Sequence, residues 1–163
     1  MKILIDADAC PVTRIAVEIA KEFGLECILF CDTSHIINID YATTVIVSKG
    51  NDSADFALVN KIIEGDIAIT QDYGLASMCL GKKAFVINQN GLEYTNDNIV
   101  YLMESRYESH KLRRSGKHQK GPKPRNEEQD KAFISSFRKL ILREIEKNVC
   151  HTEYHSVRRP RLS

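Results

Sequence analysis

The chain opens with ILIDAD at residues 3–8, a short apolar run that ends directly in two aspartates, Asp6 and Asp8. A second run of this kind, IAITQD at residues 67–72, ends in Asp72. Short runs rich in β-branched residues are typical of buried parallel strands. Ligands of open α/β sheets bind outside the carboxyl ends of such strands, so both runs are predicted to bring carboxylates to that edge.

Strand and helix patterns alternate over the first half of the chain. The alternation predicts a doubly wound, Rossmann-like α/β fold with a central parallel sheet flanked by helices. The predicted strands span residues 2–6, 27–30, 44–47, 66–70 and 84–87, and the helices between them span 11–23, 54–64 and 74–80. The apolar face of the second helix is expected to consist of Phe56, Leu58, Val59, Ile62 and Ile63. Residues 31–42 fit no single pattern.

The second half of the chain is predicted to be helical, because the strand patterns stop after Asn88. One helix is expected at 96–111, and an amphipathic C-terminal helix at 127–148 whose apolar stripe is Phe133, Phe137, Leu140, Ile141 and Ile145. The length of 163 residues favours a single domain, over residues 1–148. Within it we expect a basic flexible loop at about 106–126, and after it a disordered basic tail at 149–163.

Composition excludes several classes of protein. No apolar run approaches the ~20 residues of a membrane span, and the first residues do not have the pattern of a signal peptide. The five cysteines are odd in number and form no C-x-x-C motif, so reduced thiols in the cytoplasm are expected. Cys10 precedes a predicted helix, where a thiol pKa can fall, but no C-x₅-R phosphate loop follows it and an inert thiol is expected.

The net charge of +1 conceals a strong asymmetry. Residues 106–125 contain eight Lys or Arg and a single acid, Glu108, whereas most of the chain is acidic. A charge run is usually a solvated segment, but its contrast with an acidic body favours contact with a polyanion such as nucleic acid. Few aromatic residues interleave this segment, so base stacking is not indicated. The candidate phosphate contacts are Arg113, Arg114, Lys117, His118, Lys120, Lys123 and Arg125.

Aspartates at two strand ends indicate a divalent-metal site. Crowded carboxylates repel one another unless they are protonated or neutralised by a cation. All-oxygen ligand sets suit Mg²⁺ or Mn²⁺, and Asp6, Asp8 and Asp72 are candidate ligands. For Asp8 the alternative is a plain N-cap of the helix that begins near Pro11. A third motif, NDSAD at 51–55, opens a helix, and Asp52 in it is a candidate ligand or a helix cap.

The motifs D-A-D-A-C-P, N-D-S-A-D-F-A and I-T-Q-D-Y-G-L-A occur in this order, and H-K-L-R-R-S-G-K-H-Q-K-G-P-K-P-R follows them. Together they resemble the YaiI/YqxD family of bacterial proteins over about residues 1–146, a family that is similar to the PIN-like nucleases. The resemblance implies a PIN-like α/β fold and carries three metal-binding acids over to Asp6, Asp55 and Asp72. PIN sites usually have one more acid after the third. Here residues 73–76 contain none, and Asp8 or Asp52 is the available substitute.

The function expected from these residues is metal-dependent cleavage of phosphodiester bonds, with Asp6 and Asp72 as catalytic residues. The preference for RNA over DNA is implied only by the resemblance. One alternative is a haloacid-dehalogenase-like phosphatase, with Asp6 as nucleophile and Asp8 as acid/base. The helix that starts at Pro11 and the missing G-D-x-x-x-D motif disfavour it. The other alternative is a non-catalytic RNA-binding module whose acids hold a structural ion.

Overall fold

A computed structural model describes residues 1–8, 10–34, 37–48, 53–114 and 124–156, with side chains described except at 109–114 and 148–156. Strands and helices alternate along these residues in the predicted manner. Their order is β1 (Ile3–Asp6), α1 (Thr13–Glu22), β2 (Cys27–Asp32), β3 (Thr43–Val47), α2 (Ser53–Lys61), β4 (Ile67–Ile69), α3 (Tyr73–Gly81), β5 (Phe85–Ile87), β6 (Glu93–Tyr94), α4 (Asn96–Arg114) and α5 (Glu127–Ser156).

The strands form one sheet in the order β3-β2-β1-β4-β5-β6. Strands β1 to β5 are parallel and β6 is antiparallel to β5, so the predicted α/β fold with a mostly parallel sheet is confirmed. The strand order reverses between β1 and β4, where Ile5 is in register with Ile69. Such a switch point leaves a crevice at the carboxyl edge of the sheet.

Strand β6 was not predicted, and a tight turn after β5 creates it. The Asn88 side chain accepts hydrogen bonds from the backbone N–H groups of Asn90 and Leu92. Gly91 has a φ of 84°, and a Cβ atom there would lie 2.8 Å from Oγ of Ser136 on α5. Glycine is therefore needed both for the left-handed turn and for the close approach of this helix.

The two faces of the sheet are covered by different helices. Ile3 and Ile5 face α1 and α5, whereas Leu4 faces the layer that contains Leu58 of α2 and Leu75 of α3. This alternation follows from the two-residue period of a strand and explains why successive residues of β1, Ile3 to Ile5, are all apolar. The predicted stripe of α5 is confirmed, since its first four members are buried and the fifth is partly buried: Phe133, Phe137, Leu140, Ile141 and Ile145.

The predicted apolar face of α2 was partly wrong. Leu58 and Ile62 are buried, but Phe56 and Ile63 are exposed. Helix α2 ends at Lys61, before Ile63, and Phe56 lies about 200° around the helix from Leu58. Only one side of α2 meets the sheet, so an apolar residue on the other side remains in solvent.

The later helices are longer than predicted. Helix α4 continues to Arg114 and thus includes the first part of the segment expected to be a basic loop. Helix α5 continues to Ser156, past the expected end at residue 148. Residues 115–123 of the basic segment and 157–163 of the tail lie outside the described residues. No helix in the described part of the chain has the length and apolar character needed to cross a membrane.

Candidate functional site

Five aspartates line a cleft of about 250 Å³ at the carboxyl edge of the sheet. Ser53 and Ala54 complete its lining, and we call it the aspartate cleft. Strand ends and one helix start bring the acids together, because parallel strands end at the same edge. Asp6 ends β1, Asp8 follows it, Asp32 ends β2, Asp55 lies in the first turn of α2 and Asp72 follows β4.

Thr70 connects the two strand ends on either side of the switch point. Its hydroxyl donates a hydrogen bond to Oδ2 of Asp6 at 2.8 Å and accepts one from the backbone N–H of Asp72 at 3.0 Å. The Thr70 side chain is only 2% exposed, so water cannot easily replace these partners. The positions of Asp6 and Asp72 are therefore linked through one buried hydroxyl.

Asp72 is also the N-cap of α3. Its Oδ1 accepts a hydrogen bond from the backbone N–H of Leu75 at 2.9 Å, as expected of a capping residue. A Cβ atom at position 74 would lie 3.0 Å from the same oxygen, so a larger residue there would press on the capping carboxylate. The capping bond uses Oδ1, so the second carboxylate oxygen, Oδ2, takes no part in capping.

Asp8 is not the cap of α1, so that alternative was wrong. Helix α1 begins at Thr13 with Val12 as its N-cap and without a side-chain capping bond, because the chain makes a turn at Pro11 and Val12 first. The Asp8 carboxylate instead accepts from the backbone N–H of Asp32, with Oδ1 at 3.0 Å and Oδ2 at 3.2 Å. This contact fixes the loop after β1 against the end of β2.

Asp32 was missed by the sequence reasoning. The predicted second strand stopped at Phe30, whereas β2 continues to Asp32 because Cys31 and Asp32 pair with Ile46 and Val47 of β3. The signal was the same as for the other acids, an aspartate at the end of a buried apolar run. Applying that rule to the full run CILFCD would have found this fifth carboxylate.

Asp6 is the electrostatic centre of the cleft. Burial raises the pKa of the Asp6 carboxyl above its ordinary value, the hydrogen bond from Thr70 opposes this rise, and the charges of Asp8 and Asp72 add to it. Removing water and adding like charges both penalise the ionised form. A cation held among these carboxylates would offset that penalty.

The donor chemistry of the aspartate cleft fits a hard divalent cation, since Mg²⁺ and Mn²⁺ prefer carboxylate oxygens. Among the described residues, however, no three His, Cys, Asp or Glu side chains are already arranged to hold a metal ion. Several of the acids are turned toward protein donors, as the contacts of Asp6, Asp8 and Asp72 show. Sharing an ion therefore requires side-chain rotation within the cleft. Asp52 lies outside the described residues.

Comparison with known proteins gives the family. A sequence model described as "Uncharacterized BCR, YaiI/YqxD family" matches residues 4–143. The chain belongs to the YaiI/YqxD family. A UPF0178 protein of Clostridium acetobutylicum is 47% identical over 145 residues, which cover 88% of this chain and 98% of the relative. One of Exiguobacterium sibiricum is 45% identical over 141 residues, covering 86% and 96%. No solved structure matches the chain.

Three thiols in the described part of this YaiI/YqxD family member, those of Cys10, Cys27 and Cys79, are poor nucleophiles. Burial raises the pKa of Cys10 and raises the pKa of Cys27 and Cys79 to about 12. These cysteines and Cys31 are free thiols. A thiol needs a lowered pKa to act as a nucleophile, so the expectation of an inert Cys10 agrees with its surroundings.

Arg125 makes internal contacts in the folded chain. Its Nε lies 2.6 Å from Oδ1 of Asp130, one terminal nitrogen donates to Oδ1 of Asn90 at 3.1 Å, and the other donates to the carbonyl of Gln89 at 2.7 Å. The guanidinium thus fastens the start of α5 to the turn before β6. Its role in nucleic-acid binding stays a prediction.

The other predicted phosphate contacts have side chains outside the described part of the chain. Arg113 and Arg114 lie at the end of α4, and their side chains are outside the described part. Lys117, His118, Lys120 and Lys123 lie wholly outside it.

Proposed function

We propose that this protein is a divalent-metal-dependent nuclease that cleaves phosphodiester bonds at the aspartate cleft. The observation that carries the proposal is the convergence of Asp6, Asp8, Asp55 and Asp72 with Asp32 at one sheet edge. This edge adjoins the switch point of a doubly wound sheet, where ligands bind in this class of fold. The PIN-like character of the active site, the preference for RNA and a cytoplasmic location belong to the same proposal.

The chain's own contribution is a set of carboxylate oxygens that line one cleft and, after side-chain rotation, can donate to Mg²⁺ or Mn²⁺. Asp6 and Asp72 are held by Thr70, so they are the best positioned to be catalytic residues. Asp8 and Asp55 complete the proposed ligand set, and Asp32 holds Asp8 in place through its backbone N–H. When bound in such sites, divalent ions activate water and stabilise the charge on the leaving oxygen.

Substrate charge also supports a metal-dependent reaction. Five carboxylates repel a phosphodiester, so the cleft needs cations before it can accept one. The basic segment at 106–125 supplies positive charge in the same chain. Together, a cation-loaded cleft and a basic segment favour a nucleic-acid substrate over a small neutral molecule.

The test is cleavage of end-labelled single-stranded RNA and DNA by the purified protein in Mn²⁺, Mg²⁺ or EDTA. We expect products with either ion and none in EDTA, and Asp6→Asn and Asp72→Asn should abolish cleavage. Asp40→Asn is the matched control, because Asp40 is exposed and lies outside the aspartate cleft. Failure to cleave any substrate under all conditions would refute the nuclease.

Two further readouts separate the alternatives. A covalent aspartyl-phosphate trapped at Asp6 during hydrolysis of a phosphate monoester would assign the phosphatase. RNA binding that persists in EDTA, without cleavage in either metal, would assign the non-catalytic module.

A further inference from the structure

A second groove lies beside the aspartate cleft. It has a volume of about 300 Å³ and is lined by Tyr73, Gly74, Met103, Arg106 and Tyr107, and we call it the tyrosine groove. Tyr73 and Gly74 directly follow Asp72 at the start of α3, so the two sites are adjacent along the chain. Helix α4 supplies the opposite wall.

The tyrosine groove combines a fixed aromatic ring with exposed apolar side chains. The ring of Tyr73 packs edge-on against Tyr94, with centroids 5.6 Å apart, and Tyr94 is buried. The guanidinium carbon of Arg106 lies 5.3 Å from the centroid of the Tyr73 ring. In contrast, Tyr107 is 73% exposed and Met103 is also exposed. The groove is therefore bordered by the packed ring of Tyr73, the guanidinium of Arg106 and the exposed ring of Tyr107.

We propose that the tyrosine groove binds an unpaired nucleobase of single-stranded nucleic acid whose backbone passes the aspartate cleft. This rests on the proposed nuclease function, because it places the substrate of that reaction. Unstacked bases stack on aromatic rings and on arginine planes, and the groove offers the exposed ring of Tyr107 beside Arg106, whose guanidinium lies over the Tyr73 ring. Arg106 also supplies a positive charge in the wall of the groove, which favours a negatively charged nucleotide over an apolar peptide.

The aromatic residues of the tyrosine groove come from two helices. The basic segment contains few aromatic residues and did not indicate base stacking. Tyr107 is the one tyrosine of the basic segment and lies on α4, whereas Tyr73 comes from the start of α3, so the pair that lines the groove is formed only by the fold. A groove of this kind selects single strands, because the faces of bases in a duplex are already covered.

Fluorescence offers a direct test, because the chain contains no tryptophan. A Tyr107→Trp variant carries a single reporter in the tyrosine groove, and Tyr101→Trp is the matched control. Tyr101 lies on the same helix and is 71% exposed, but it does not line the groove. In EDTA, a short single-stranded oligonucleotide should quench the Tyr107→Trp emission and leave that of Tyr101→Trp unchanged. An abasic oligonucleotide of equal length should quench neither.

Binding affinity provides the second measurement. Tyr107→Ala should weaken binding of the base-containing oligonucleotide about five- to a hundredfold, the range for losing one stacked base. Tyr107→Phe keeps the ring and should retain the affinity, and Tyr101→Ala should have no effect. Each titration is repeated with Asp6→Asn, so that repulsion by the aspartate cleft does not mask binding.

The results separate this inference from the nuclease. Equal affinity of wild type and Tyr107→Ala, or equal quenching of both tryptophan variants, in both backgrounds would overturn the base site whether or not the protein cleaves. Base-dependent quenching without cleavage in any metal would keep the base site and refute the nuclease. If Tyr107→Ala changes only the molecular mass in solution, the tyrosine groove is an interface with a second copy and the base site is refuted.

Discussion

The hydroxyl of Thr70 donates a hydrogen bond to the carboxylate of Asp6 at 2.8 Å. Because the same hydroxyl accepts from the backbone of Asp72, one buried side chain sets the spacing of the two central acids. Thr70 is therefore a positioning residue for the aspartate cleft. It also compensates part of the cost of burying Asp6.

Thr70→Val should destabilise the fold by about 1–3 kcal/mol, because it leaves buried hydrogen-bonding groups without a partner. Thr70→Ser keeps the hydroxyl and should restore most of the stability. Urea denaturation of the two variants measures the difference. If cleavage occurs, it should decrease in Thr70→Val and recover in Thr70→Ser. Equal stability of Val and Ser variants would contradict this role.

Asp6→Asn should stabilise the metal-free protein at neutral pH. The raised pKa means that the folded state binds more protons at Asp6 than the unfolded chain above the ordinary value of 3.8. The free energy of unfolding therefore falls as the pH rises from 3.8 to the raised pKa of Asp6 in the folded state. At higher pH the cost of burying the ionised carboxylate remains. The gain of Asp6→Asn, measured by denaturation in EDTA, should shrink as the pH falls toward 3.8. A loss of stability at neutral pH would show that the ionised carboxylate is structural.

Gly74→Ala should separate folding from metal binding. Alanine favours the helix by about 0.5–1 kcal/mol, but its Cβ would lie 3.0 Å from Oδ1 of Asp72 and push that carboxylate aside. Because the same oxygen caps α3, the weakened cap offsets this gain, so we expect a nearly unchanged melting temperature in EDTA and a smaller increase on adding Mn²⁺. Gly81→Ala is the matched control, since nothing lies within 4 Å of its added Cβ. A normal response to Mn²⁺ in Gly74→Ala would argue against Asp72 as a ligand.

Arg125→Lys should destabilise the protein by about 1–2 kcal/mol, because a lysine cannot reproduce the three contacts of the guanidinium. A double-mutant cycle with Asp130→Asn measures the coupling of the ion pair. Nucleic-acid affinity should change little if the internal contacts are the main role of Arg125. A large loss of affinity with unchanged stability would assign it to the interface.

Removing positive charge from the basic segment should weaken nucleic-acid binding mainly at low salt. Replacing Arg113, Arg114, Lys117 and Lys120 with alanine should lower the slope of log affinity against log salt by about 0.7 for each lost single-strand phosphate contact. The control replaces four exposed lysines elsewhere: Lys21, Lys82, Lys131 and Lys139. Mn²⁺ affinity is measured in the same variants: charges beyond ~10 Å are screened, so an unchanged affinity is expected of side chains that contact the nucleic acid away from the cleft. Identical slopes in the two variants would leave the segment as a solvated charge run.

The fold class and most of the aspartate cleft follow from local sequence patterns. Residues 3–5 of strand ILID and all of strand IAI are apolar because both faces of the sheet are covered, and an aspartate ends the first strand or follows the second one closely. Parallel strands place such residues at the same edge, so their proximity could be predicted without knowing the contacts. The amphipathic stripe of α5 was likewise readable, because a helix repeats every 3.6 residues.

Other features were decided by contacts between distant segments. Asp32 enters the cleft because β3 extends the pairing of β2, and Asp8 is held by the backbone of Asp32 instead of capping α1. Phe56 remains exposed because only one side of α2 meets the sheet. The tyrosine groove exists because α4 packs beside α3. Sequence periodicity specifies which residues share a face of one helix or strand, whereas the partner of that face depends on how the whole chain packs.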